Sequence, residues 1–352
     1  MRLSIQSKLL VLGLMLAITS GLGNLNRSRR LCADESQLAG EERTLADPKD
    51  NEQNKHNQEN ATDAASPSRF NLALKTGGGT QVWTDHCYRD GYRIQQNALT
   101  EHWRVLDPSD VRMGWGSEQQ CHKILDELKP NPRVLGKPKH YTVLLHGLMR
   151  THHSMKPIAT AMAKEGRPDV IRFAYASTRK SIADHSAALK EVLEDLPANT
   201  QFSFVGHSMG NIVVRHLIGR LQQDDPKQLL GRCHSMVMLG PPNQGAAISR
   251  RLAPTGLYGW LTGQGGLELG PQWDTFVREL ATPPFPFMII AGDVSGLPIT
   301  NPLVDGSSDF VVSVEEAKLD GSESLEIVPV LHSFLMNDEK ALKMTVKFLL
   351  QH

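Results

Sequence analysis

Phe202-Ser203-Phe204-Val205-Gly206-His207-Ser208-Met209-Gly210 decides how this chain is read. Four strand-forming residues run into a G-x-S-x-G pentapeptide, and Ile212, Val213, Leu217, Ile218 and Leu221 then recur at helical spacing. Small residues two positions either side of the serine let a strand and a helix approach closely through a strained turn. Such a turn lifts the Ser208 hydroxyl above the sheet edge, where it is a candidate nucleophile. It also sets the Met209 N–H at a helix N-terminus, where unsatisfied donors and the helix dipole favour a developing oxyanion.

Outward from this point, short apolar runs alternate with helical patterns. Residues 141–145, 170–175, 236–239, 287–290 and 325–330 read as buried strands. Helical spacing appears over 182–196 and 339–350, and Ser154 reads as an N-cap for a helix running to Gly166. Alternating strand and helix implies right-handed crossovers, and hence a mainly parallel sheet covered by helices on both faces.

The remaining site candidates follow from what a serine nucleophile requires. His146-Gly147-Leu148 follows a good strand, Gly147 permits a sharp bend, and the Leu148 N–H is the candidate second oxyanion donor beside Met209. The base should follow the serine in the chain. After Ser208 the histidines are His216, His234, His332 and His352. His216 falls inside the helix after the elbow, His234 precedes a strand and His352 is terminal, which leaves His332 as general base. Asp309, in Gly306-Ser307-Ser308-Asp309-Phe310, is the candidate acid, with Asp305 and Asp293 as competitors. Adjacent His152 and His153 invite a metal reading, but chain neighbours seldom share a ligand geometry. The expectation is a site without metal or organic cofactor.

In order, these motifs resemble the α/β-hydrolase superfamily and, within it, small bacterial lipases and esterases and inositol-deacylase-like serine esterases. The resemblance spans residues 139–351 and implies nucleophile Ser208, acid Asp309, base His332 and oxyanion donors Leu148 and Met209. Tyr175-Ala176-Ser177-Thr178 and the stretch 239–245 look like segments that flank the pocket in such lipases. Two departures stand out. The lid-like insertion, roughly 253–280, is modest, and the acid loop reads Ser-Ser-Asp-Phe where many members have Asn-Asp-Gly. The implied reaction is acyl transfer from an ester to water through an acyl-enzyme. Leu148, Met149, Met209, Leu257, Trp260 and Leu261 are the candidate lining of an acyl pocket, which favours a lipid-like or otherwise apolar ester substrate. Transfer of the acyl group to an alcohol is the rival reaction, and a non-catalytic envelope-binding protein on a hydrolase scaffold is the rival class.

The flanking regions read differently. Residues 1–33 hold five basic and no acidic groups, with an apolar run from Leu9 to Thr19 followed by small residues, the order of an export signal. Extended through residue 25, the run also suits a retained anchor over 9–25, and a buried helix of the fold is the third reading. The expected location is therefore periplasmic or extracellular, with association at a membrane surface. Residues 34–68 contain nine acidic groups but no aromatic before the domain begins, too little apolar surface to order a chain, and read as a disordered acidic linker. Asn60-Ala61-Thr62 fits a glycosylation acceptor. Residues 69–352 form the expected α/β-hydrolase domain, with 69–138 as an N-terminal extension of its sheet. That stretch holds Trp83, Trp103, Trp115, Tyr88 and Tyr92, read as packing, and Cys87 and Cys121, which an exported chain could join in a disulfide. Cys233 would then remain free and buried. The 38 basic and 38 acidic residues balance over the whole chain, which argues against nucleic acid as a partner.

Overall fold

The computed structural model describes residues 81–128, 139–255, 257–298 and 301–352. The expected export signal or anchor, the linker and the Asn60 acceptor lie outside the described residues. Among the described residues no helix is long and apolar enough to cross a membrane.

The chain begins with four strands, β1 (Trp83–Arg89), β2 (Tyr92–Asn97), β3 (Trp103–Leu106) and β4 (Arg112–Gly116), followed by α1 (Glu118–Glu127). The strands pair in sequence order into an antiparallel sheet of their own. This corrects the expected extension of the parallel sheet. Past β6 (Val170–Phe173), Asp85 and Ala174 share a backbone hydrogen bond of 2.9 Å, while the Asp85 carboxylate and the Thr84 hydroxyl accept from Ala174 and Ala176. Side chains here take acceptor positions that a continuing ladder would give to carbonyls, so the two sheets abut without merging.

The small sheet has a core of Cys87, Ile94, Val105, Cys121 and Leu125. Trp83 and Trp103 pack as expected, with the Arg104 guanidinium 3.8 Å above Trp83 and His86 edge-on to Trp103, whereas Trp115 is exposed. The two cysteines do not form a disulfide: the Cys87 thiol donates to the Asp195 carboxylate at 3.1 Å, and Cys121 is a free, buried thiol. Cys233 is free and buried as well.

The second sheet is wholly parallel among its described pairs, in the order β10-β9-β8-β7-β5-β6. It contains β5 (His140–Leu145), β6, β7 (Gln201–His207), β8 (Cys233–Leu239), β9 (Phe287–Gly292) and β10 (Ser324–Val328). Between them run α2 (Lys156–Lys164), α3 (Ile182–Asp195), α4 (Met209–Gln223), α5 (Ala247–Leu252), α6 (Leu257–Glu268), α7 (Trp273–Phe276) and α8 (Val314–Ala317), and α9 (Glu339–Gln351) closes the chain. Strand alternation explains the continuous apolar runs. Val143, Leu145, Met236 and Met238 face one core with α3 and α4, while Leu144, Val237 and Leu239 face another with α2 and α9. Both faces are buried, as an α/β-hydrolase sheet requires.

Ser154 does not cap α2. Its hydroxyl donates back to Thr151 within a 3₁₀ turn, and Pro157 sets the first helical turn instead. The connection from β5 leads outward to β6, and the next strand, β7, pairs on the other side of β5. The chain thus reverses direction between β5 and β7. Ligands bind open α/β sheets at such a point, beyond the carboxyl ends of the strands.

Candidate active site

Ser208 occupies that point. It caps α4 with φ 54° and ψ −123°, a left-handed conformation that costs a non-glycine residue about 1–3 kcal/mol and persists where the surroundings enforce it. Its N–H donates to Leu239 of β8 at 2.9 Å, and its side chain makes no cap hydrogen bond with α4. The hydroxyl is therefore left to the cavity above. The flanking glycines are dictated by contact: a Cβ on Gly210 would lie 2.6 Å from the Leu145 carbonyl oxygen, and one on Gly206 would lie 2.7 Å from the Asn211 nitrogen.

The loop after β5 arches over this elbow. A Cβ on Gly147 would approach the Ser208 Cβ to 3.0 Å, so glycine alone lets the loop come so near. The next residues are held in an unusual shape, with Met149 at φ 59° and its N–H donating to the Ser177 hydroxyl at 3.1 Å. Beneath them the buried Tyr175 hydroxyl donates to the His146 carbonyl, and the two rings stack 4.0 Å apart. Burial raises the Tyr175 phenol and holds the His146 imidazole down to about 4, so both are neutral packing elements. Leu148 and Met209 carry the two candidate oxyanion donors. Neither N–H has an acceptor among the described residues, and that of Met209 opens a helix, where no intrahelical partner exists.

His332 begins a 3₁₀ turn beyond β10 and is buried. Its Nδ1 lies 2.6 Å from Oδ2 of Asp309, whose Oδ1 accepts from the N–H groups of Val311 (3.0 Å) and Val312 (2.7 Å). With Nδ1 donating to the carboxylate, Nε2 is the lone-pair nitrogen, the form a general base needs. The competing acids lie elsewhere. Asp305 is exposed and pairs with Arg251 at 2.6 Å, and Asp293 closes a local turn with Ser295, whose N–H and hydroxyl hold its carboxyl below the usual range.

Ser208, His332, Gly147, Leu148 and Met149 line one cavity, walled further by Ile248, Leu252, Leu269 and Pro242. Met209 does not line it. Its side chain is buried in the core, where a Cβ on Gly265 would stand 3.0 Å from its sulfur. The side chains of Leu257, Trp260 and Leu261 lie outside the described residues.

His207 is the residue that sequence reasoning passed over. Its Nε2 donates to the His332 carbonyl at 3.0 Å, which ties the elbow to the base loop. Burial holds its pKa far below the ordinary value, so it does not compete as a base. Its place as the variable residue of G-x-S-x-G gives no sign of this role.

A second cluster joins Asp110, His152 and His153, with ligand atoms within 4.8 Å of one another. Fold contacts, rather than chain adjacency, bring Asp110 to the two histidines. The set suits a cation poorly, because Arg93 pairs with Asp110 and, after burial itself, the charges of Arg93, His153 and Arg172 all disfavour further positive charge at His152.

Residues 136–253 match the protein family described as "Putative serine esterase (DUF676)". No curated protein matches the sequence. Among solved structures, the mature lipase BlEst2 of Bacillus licheniformis is 16% identical over 61% of this chain and 93% of its own, with a TM-score of 0.48. A gene product of Listeria innocua is 18% identical over 61% and 95%, with a TM-score of 0.45. A metagenomic carboxyl esterase is 19% identical over 62% and 74%, with a TM-score of 0.39. The sheet and the elbow are those of an α/β-hydrolase fold, and residues 136–253 match a family of putative serine esterases, carboxylic ester hydrolases in class.

Proposed function

We propose that the protein hydrolyses carboxylic esters of apolar acids through an acyl-enzyme on Ser208. The observation that carries this reading is the shared cavity. It sets the Ser208 elbow and the Asp309-held imidazole of His332 against one apolar chamber. His332 Nε2 takes the Ser208 proton as the oxygen attacks the ester carbonyl. The oxyanion rests on the N–H groups of Leu148 and Met209, and the imidazolium, stabilised by Asp309, returns its proton to the departing alcohol. Water, activated by the same histidine, then releases the acid.

The apolar walls favour acyl groups of an aliphatic kind. The basic and apolar N-terminus supports action outside the cytoplasm, which fractionation of cells with an antibody to the chain would test.

Turnover of nitrophenyl esters from acetyl to palmitoyl is the direct test. The wild type should react with a fluorophosphonate at Ser208, and Ser208→Ala should lose about 10⁴-fold or more of kcat. Serine-independent turnover without labelling would refute the reading. Product analysis with added alcohols separates hydrolysis from acyl transfer.

A further inference from the structure

Arg150 stands in the wall of the cavity that holds Ser208 and His332, and its N–H turns back to the Gly147 carbonyl at 3.2 Å. Its guanidinium has no carboxylate within ion-pair distance among the described residues, and its Nη2 is buried without a hydrogen-bond acceptor. Several other buried or partly buried arginines are engaged. Arg215 donates to the Ala281 carbonyl and the Asn243 side chain at 3.0 Å each, Arg232 donates to the Thr200 and Pro197 carbonyls, and Arg89 pairs with Asp195. Arg150 lacks such acceptors and lines the chamber beside Ser208.

Arginine stays protonated in proteins. Burial disfavours the Arg150 charge, and that charge in turn helps hold His146 and His207 neutral, so it is felt on both sides of the loop over Ser208. The carboxyl group of the site, on Asp309, is occupied by His332 and two backbone N–H groups. A fixed positive charge among apolar walls is therefore left without a counter-charge. Weak screening there makes an arriving oxyanion strongly favourable, and the planar fork of the guanidinium suits one.

We propose that Arg150 sets the specificity of this site by selecting esters that carry an anionic oxygen group, a carboxylate or a phosphate, near the scissile carbonyl. The inference rests on the ester-hydrolase reading of Ser208. A neutral triglyceride-like ester fills the apolar chamber but leaves the guanidinium unmatched.

Two matched pairs of substrates test this on the full chain. The first pair is 4-nitrophenyl valerate and the mono-4-nitrophenyl ester of glutaric acid, which differ by a terminal carboxylate on the acyl side. The second is a monoacylglycerol and the lysophosphatidate of the same acyl chain, which differ by a phosphate on the alcohol side. In at least one pair the anionic ester should have a kcat/KM tenfold or more above its neutral partner. Arg150→Met should lower that ratio tenfold or more, mainly through KM, and Arg150→Lys should recover part of it. The responding pair names the group. A wild-type ratio at or below one in both pairs, or a ratio unmoved by Arg150→Met, overturns the proposal. If Arg150→Met does not fold, the wild-type ratio decides by the same threshold. Ser208-dependent turnover without anionic preference refutes this inference alone, whereas Ser208-independent turnover refutes the hydrolase reading beneath it.

Discussion

Asp309 and His332 grip each other twice: Oδ2 of Asp309 lies 2.6 Å from Nδ1 of His332, and the His332 N–H donates to the Asp309 carbonyl at 2.9 Å. The backbone contact fixes where the histidine sits, and the carboxylate fixes which nitrogen carries the proton. Asp309→Asn should therefore keep the fold but lower kcat by about 10³–10⁴-fold, because an amide can present the wrong partner to Nδ1. Asp305→Asn and Asp293→Asn should stay within about twofold of wild type, since surface pairs and local turns of this kind contribute little. Steady-state kinetics on one short-chain ester checks all three, and a larger loss at Asp293 or Asp305 would reassign the acid.

The loop over Ser208 keeps its shape through Ser177, whose hydroxyl accepts the Met149 N–H at 3.1 Å. Ser177→Ala leaves that donor unmatched and frees the loop bearing the Leu148 N–H. We expect about a tenfold fall in kcat, below the 10²–10³-fold that loss of a whole oxyanion donor costs. The thermal midpoint should fall by a few degrees, in keeping with one lost hydrogen bond of about 1 kcal/mol. An unchanged kcat would show that the loop holds itself.

Gly210 tests the packing of the elbow. An added methyl would press on the carbonyl oxygens of Leu145 and His146 at 2.6 and 2.8 Å, both backbone atoms unable to swing aside. Gly210→Ala should cost about 1–3 kcal/mol of stability, read as a lower denaturant midpoint with an unchanged slope. A wild-type midpoint would mean that α4 can back away from β5.

Acid should destabilise the fold. Burial holds His146 to about 4 and His185 to about 3, and holds His207 well below its ordinary value, against 6.5 when unfolded. Above 6.5 neither state is protonated, so stability is complete. Between 6.5 and 4 the unfolded chain takes up protons that the folded chain refuses, and stability falls by up to about 1.4 kcal/mol per pH unit for each histidine. Below 3 the His146 and His185 contributions level off. Urea midpoints measured from pH 7.5 to 4.5 should fall steadily, and a flat profile would contradict the burial of these rings.

The amino-acid sequence by itself determined the parallel sheet, the elbow at Ser208 and the order of nucleophile, acid loop and histidine. Each is a local matter. Strand and helix periods repeat within a few residues, and the tight turn at Ser208 demands its glycines from immediate neighbours. Only the tertiary structure decided which of Asp293, Asp305 and Asp309 meets His332, because β9 and β10 must pair before their loops can converge. It also turned the Met209 side chain into the core, set Arg150 in the cavity wall with its Nη2 lacking an acceptor, and joined β1 to β4 into a sheet of their own. Those outcomes depend on contacts between distant segments. Packing and charge pairing across the fold select them, and no spacing along the chain records that selection.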